Sequence, residues 1–243
     1  MTTLVIGASG ATGRQLVKQL LDSGQHVKVI VRSPESVPES WKSDARIHMI
    51  HASVLELTDI EMAECVSDCQ AIASCLGNNM NWKGIYGQPR RLVTDTVHRF
   101  CNAIRAKRPE KPIKYILMNT SGNRNRNLNE RISFGQKCVI GLLRLLLPPH
   151  VDNEKAADYL RVKIGQSNDF IEWVAVRPDA LVDEEKVSEY EVHPSPIRSA
   201  IFNAGKTSRI NVGHFMARLI TDDTKWNKWK GQMPVIYNSA SMN

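Results

Sequence analysis

Residues 3–13 read TLVIGASGATG, and this stretch decides the fold. Leu4, Val5 and Ile6 form a short apolar run of strand-forming residues that stops at Gly7, and Leu16, Val17, Leu20 and Leu21 recur at helical spacing just past Gly13. The order is strand, glycine turn, helix. Gly7 suits a tight turn off the strand, Gly10 a close approach of the backbone to a ligand, and Gly13 close packing of the helix on the strand it has left. The start of such a helix offers free N–H groups and the positive end of a dipole, a match for the pyrophosphate of a dinucleotide.

Outward from this turn the chain keeps a strand-and-helix rhythm. Strands are expected at residues 26–31, 46–50, 71–76, 113–118 and 171–176, and helices at 58–66, 88–107, 138–147, 154–162 and 212–220. Pro148 and Pro149 are read as the break between two of these helices, and a short apolar PVIY run closes the chain. Such alternation requires a mostly parallel sheet covered on both sides. The expectation is an α/β, Rossmann-type, doubly wound parallel sheet in one domain over residues 1–243, with residues 1–181 as its core and 182–243 as a small substrate-side region.

The 243 residues suffice for one sizeable core, and 42% hydrophobic with 23% charged residues is ordinary for a globular chain. The net charge of +7 is spread along the sequence. The arginines of residues 124–131 stand among asparagines without interleaved aromatics, which speaks against a nucleic-acid platform. Five cysteines without C-x-x-C spacing indicate neither a disulfide framework nor a zinc site, so no metal is expected and a reducing, cytoplasmic setting is. No secretory signal is read at the start. The longest greasy stretch, residues 139–147, contains Arg144 and falls short of the roughly 20 apolar residues that a membrane span needs. It is apolar enough to lie on a membrane or dock a partner, though a roof over an apolar pocket is the commoner fate of such a helix.

The spacing Gly7-x-x-Gly10-x-x-Gly13 differs from the commonest dinucleotide fingerprint, and VIGASGATG resembles the opening of extended and atypical short-chain dehydrogenase/reductases. The resemblance implies cofactor contacts from Gly7, Ser9, Gly10, Ala11, Thr12 and Gly13. Arg32 ends the second strand, 19 residues after Gly13, where a carboxylate would accept from the ribose of NAD and an arginine pairs with the 2'-phosphate of NADP. NADP(H) is therefore the expected cofactor, with Ser33 as a further phosphate donor and Arg14 as a screen. Ser53-Val54 resembles the Asp-Val pair that flanks the adenine in this family, with serine in place of aspartate. Leu76 and Gly77 match the place where the backbone passes the cofactor ribose. Pro178, after Arg177, resembles the turn that lays the chain beside the nicotinamide.

Chemistry in this superfamily uses a hydroxyl to hold the substrate carbonyl, a tyrosine as acid and base, and a lysine four residues on. The run YILMNTSG resembles the family's fifth strand and puts Thr120 at the carbonyl-binding hydroxyl; a threonine capping a strand end reads equally well. A literal Tyr-x-x-x-Lys occurs at Tyr159 and Lys163, too close to Arg177 to leave room for the active-site helix. KAADYL, from Lys155, is the better match, and the residue four before it is Val151, so the tyrosine is missing. His150 is the nearby group able to supply an acid near neutral pH. Two functions follow from the resemblance. The first is an NADP(H)-dependent oxidoreductase acting on a small carbonyl or conjugated substrate, with Thr120 and Lys155 as catalytic and cofactor-holding residues. The second is a non-enzymatic NADP(H)-responsive sensor that engages a protein partner.

Overall fold

Strand β1, Thr2–Ile6, is buried from Thr3 onward and sits at the centre of the sheet. The computed structural model describes residues 1–77, 86–130 and 132–239; Arg131, which ends the arginine run, lies outside them. After β1 come α1 (Ala11–Asp22), β2 (His26–Val31), the single turn α2 (Ser40–Ser43), β3 (Ile47–His51), α3 (Asp59–Val66) and β4 (Ala71–Ser74). Helix α4 (Leu92–Lys107), β5 (Ile113–Met118), α5 (Phe134–Leu146) and α6 (Pro148–Asp158) follow, and a six-residue π-helical turn, Tyr159–Ile164, leads into β6 (Ile171–Pro178). The remainder holds β7 (Ala180–Val182), β8 (Tyr190–His193), β9 (Lys206–Ser208), α7 (Arg209–Thr221), α8 (Asp223–Trp229) and β10 (Val235–Asn238).

The eight-stranded sheet has the order β3-β2-β1-β4-β5-β6-β10-β8. Every neighbouring pair is parallel except β10 with β8. Strands β7 and β9 form a separate parallel pair. This is the doubly wound Rossmann-type fold. Because successive side chains on a strand face opposite ways, Leu4 and Ile6 enter one core with Met62, Phe100 and Trp173, whereas Val5 enters the other with Leu16, Phe215 and Trp226. Both faces are thus covered, which is why the strands read as continuous apolar runs. Burying each such aliphatic side chain contributes roughly 1.5–3 kcal/mol.

Strand order reverses between β1 and β4: the chain first steps outward through β2 and β3, then returns to the other side of β1. The crevice beyond the carboxyl ends of these strands is where open α/β sheets bind ligands. Helix α3 is held at its start by a reciprocal cap in which Thr58 Oγ1 accepts from the Glu61 N–H and Glu61 accepts from the Thr58 N–H.

Several expected boundaries shift for physical reasons. The chain does break between two helices at Pro148, but the proline stands in the first turn of α6, where a missing N–H costs nothing, so that helix covers Pro148–Asp158 and not 154–162. Helix α4 starts at Leu92, not 88, and its first N–H groups at Val93 and Thr94, which lack intrahelical acceptors, are taken by the buried carboxylate of Asp152 on α6 at 2.8 and 2.9 Å. The region after residue 181 contributes β8 and β10 to the main sheet and α7 to the layer over α1. Its strands of three or four residues are too short to show a period.

Candidate cofactor and active site

At the end of β1 the chain turns through Gly7 at φ +76°, and the Gly7 carbonyl accepts from the Gly10 N–H at 3.1 Å. A side chain on Gly7 would place its first carbon 2.8 Å from the Cys75 carbonyl oxygen, and one on Gly13 would lie 2.2 Å from the Gly7 oxygen. The glycines therefore let β1, the end of β4 and the first turn of α1 close on one another. Gly10 sits at the N-cap with extended backbone and no capping side chain, and the first turn of α1 carries no acidic residue. The opening N–H groups of a helix lack intrahelical acceptors, so this end is open to an anion.

Above the turn lies a cleft of about 430 Å3. Gly7, Ser9 and Gly10 form its floor, and Arg32, Ser53, Val54, Leu76 and Gly77 line it with Gln88 and Pro89. Arg32 is exposed at the end of β2, and its carbonyl accepts from His51 Nε2 at 2.8 Å, which ties the ends of β2 and β3 together. Glu56, from the turn after β3, also lines the cleft, but the strand-end position is held by arginine. Ser33 lies one residue beyond the lining at the start of a 3-10 turn, Pro34–Ser36. Arg14 donates to the Ser36 carbonyl at 2.5 Å and so holds that turn. Ala11 is exposed at the helix start, whereas Thr12 and Gly13 are buried beneath it. The glycine positions that a Cβ would fill, the uncapped helix and Arg32 fit a dinucleotide laid across this crevice.

At the far end of the crevice β5 gives way to a turn in which Thr120 Oγ1 accepts from the Gly122 N–H at 3.3 Å and the Thr120 carbonyl accepts from the Asn123 N–H at 3.0 Å. The Asn119 side chain, buried, donates to the Asn153 carbonyl at 2.9 Å and accepts from the Thr120 N–H and from Asn123 Nδ2. This fixes the turn against α6. His150 Cε1 and Thr120 Oγ1 lie 3.6 and 3.7 Å from the point where a side chain on Gly122 would begin, so imidazole and hydroxyl flank the same space.

Lys155 lies in the last turn of α6. It is exposed, and at about 100° per residue it lies some 200° around α6 from Asn153, the residue that meets the turn. The face of α6 that buries Asp152, Ala156 and Ala157 decides this phase. Tyr159 of the literal Tyr-x-x-x-Lys packs against His98 of α4, with ring centroids 3.8 Å apart and planes tilted by 37°. Pro178 is buried at the end of β6, and its carbonyl accepts from the Ser121 N–H at 2.9 Å, which seats the Thr120 turn on that strand.

Sequence reasoning missed the polar support beneath this turn. Arg177, fully buried, donates to both oxygens of Glu130 and to the carbonyls of Asn123, Met233 and Pro194. Asp179 accepts from Ser121 Oγ and from the Gly205 N–H. A charged residue inside the apolar run IEWVAVRP was the available signal, since a buried arginine demands a carboxylate.

Residues 7–223 match the model of the NAD(P)H-binding family, and the chain belongs to that family. The fold is similar to that of an oxidoreductase of Lactococcus lactis, with a TM-score of 0.68 and 18% identity over 98% of this chain and 91% of that one. A short-chain dehydrogenase/reductase of Veillonella parvula, solved in complex with NADP, gives a TM-score of 0.69 and 12% identity over 100% of this chain and 96% of its own. An uncharacterized chloroplastic protein of Arabidopsis thaliana is 38% identical over 71 residues, which span 29% of this chain and 25% of that relative. Among the described residues no helix is long and apolar enough to cross a membrane, and no group of three or more metal-ligating side chains comes together.

Proposed function

We propose that the protein is an NADP(H)-dependent oxidoreductase acting on a small carbonyl or conjugated substrate. One observation carries this reading: the uncapped start of α1 and Arg32 belong to one cleft, the division of labour that the pyrophosphate and the 2'-phosphate of NADP call for. The NADP complex of the Veillonella parvula relative supports the same cofactor.

When bound, the nicotinamide supplies a hydride to an electrophilic carbon. Thr120 Oγ1 donates a hydrogen bond to the substrate oxygen and fixes its direction. His150, on the other side of Gly122, returns the proton that completes the reduction. Asn119, by holding the turn to α6, keeps these two groups facing one space.

Titration with NADPH and NADH, followed by nucleotide fluorescence, tests the reading. NADPH is expected to bind more tightly, and Arg32→Ala to weaken NADPH about tenfold or more, as loss of a charged hydrogen bond implies, while NADH is unchanged. Equal affinity for both nucleotides in the wild type and the variant would overturn the NADP preference, and no binding of either would remove the enzyme.

The exposure of Lys155 and the valine at position 151 favour a second reading, an NADP(H)-responsive sensor with a protein partner. Tight nucleotide binding, no NADPH consumption across a panel of carbonyls, and partner affinity that changes between NADP and NADPH would select it.

A further inference from the structure

A second cavity, of about 380 Å3, opens beside the Thr120 turn between residues 121–124, α5 and the loop 195–199. Its charged lining consists of Arg124, Arg198 and Glu130. Glu130 brings no net charge, because both its oxygens are taken by Arg177. Neighbouring arginines are similarly matched, Arg126 with Asp158 at 3.7 Å and Arg144 with Glu154 at 2.8 Å. Arg124 and Arg198 form no ion pair among the described residues. Moreover, Arg124 Nε is buried and has no acceptor there. A buried donor without a partner is unfavourable, and here the donor belongs to a guanidinium shaped to grip an oxyanion. Ile132, Ile140 and Ile197 supply apolar lining to the same cavity.

We infer that this cavity binds the anionic end of the substrate: a carbonyl compound carrying a carboxylate or phosphate, held by Arg124 and Arg198, with its apolar body against Ile132, Ile140 and Ile197. The assignment of the bound molecule as substrate rests on the oxidoreductase reading, because the cavity abuts the turn that presents Thr120. Its selectivity comes from the two cations that no carboxylate among the described residues neutralises. A neutral analogue would leave the buried Arg124 Nε without an acceptor, as it is now.

Ligand-observed NMR with benzoate, phenyl phosphate and benzamide tests this on the full chain, with and without NADPH. One or both anions should bind at least tenfold more tightly than benzamide, and the better of the two identifies carboxylate or phosphate as the preferred group. Arg124→Gln should abolish that preference and Arg198→Gln reduce it. Lys111→Gln, which removes the same charge from an exposed remote turn, should keep it. Equal binding of anions and benzamide, an unchanged preference in Arg124→Gln, or an equal loss in Lys111→Gln would overturn the inference. An NADPH titration of the wild type in the same buffer keeps the two readings apart. NADPH binding without anion preference defeats the anion pocket alone, and anion preference without NADPH binding defeats the oxidoreductase alone.

Discussion

Arg177 on β6 and Glu130 in the loop after β5 form an ion pair of 2.7 Å in which the side chains are 0% and 4% exposed. The pair is the junction between the turn that carries Thr120, the strand that ends at Pro178 and the segments around residues 194 and 233, because the same guanidinium also reaches the Asn123, Met233 and Pro194 carbonyls. Removing one partner leaves the other charge buried and uncompensated. Glu130→Gln is expected to cost about 3–5 kcal/mol, read as a lower urea midpoint with an unchanged slope. A midpoint within error of the wild type would show that the pair is not the junction.

Gly13 tests the closeness of α1 to its turn. With only 2.2 Å between a Cβ at this position and the Gly7 oxygen, Gly13→Ala must push the helix away from the turn. A loss of about 1–3 kcal/mol is expected, together with weaker nucleotide binding. Gly24→Ala is not an equivalent control, since its φ of +71° adds backbone strain. Gly141→Ala is the proper one: it lies in α5 with open space around it and should be neutral or stabilising. A Gly13→Ala protein that melts with the wild type would refute the packing argument.

Asp152 joins two helices through one carboxylate. Its oxygens accept from the Val93 and Thr94 N–H groups, and its carbonyl accepts from Thr94 Oγ1 at 2.9 Å. Asp152→Ala leaves two buried donors of α4 unpaired and is expected to cost about 2–4 kcal/mol in thermal or urea unfolding. Hydrogen exchange at Val93 and Thr94 should accelerate more than at Phe100, deep in the same helix. Uniform acceleration would mean that the cap has no local role.

Glu154 sets an acid limit on stability. Burial pushes its carboxyl upward, but hydrogen bonds from His150 and Arg144 outweigh that and hold it down to about 2, from an ordinary value of 4.5. Since the folded-state value is the lower one, the unfolded chain takes up this proton first. The stabilisation is therefore complete above about pH 4.5 and is lost as the pH falls toward 2. It amounts to no more than about 3 kcal/mol, because Arg144 is partly screened by solvent. Unfolding free energy measured from pH 6 to 3 should fall more steeply for the wild type than for Glu154→Gln. Parallel curves would exclude the pair as a source of acid sensitivity.

The glycine turn, the alternation of strands and helices and the arginine at the end of β2 are local features, and the sequence alone determined them. A φ above zero, a close backbone approach or a run of β-branched residues leaves its mark within a few positions. Strands β2 and β5 accordingly fall on the expected residues, 26–31 and 113–118, to the residue. Which side chains meet around Thr120 was decided only by the tertiary structure. Lys155 and His150 are five residues apart on one helix, and only the packing of Asp152, Ala156 and Ala157 against the core turns His150 toward Gly122 and leaves Lys155 in solvent. The pairing of Arg177 with Glu130, 47 residues away, was equally hidden, as was the entry of β8 and β10 into the sheet. Such contacts depend on burial and helix phase summed over the whole chain, so no short stretch of sequence records them.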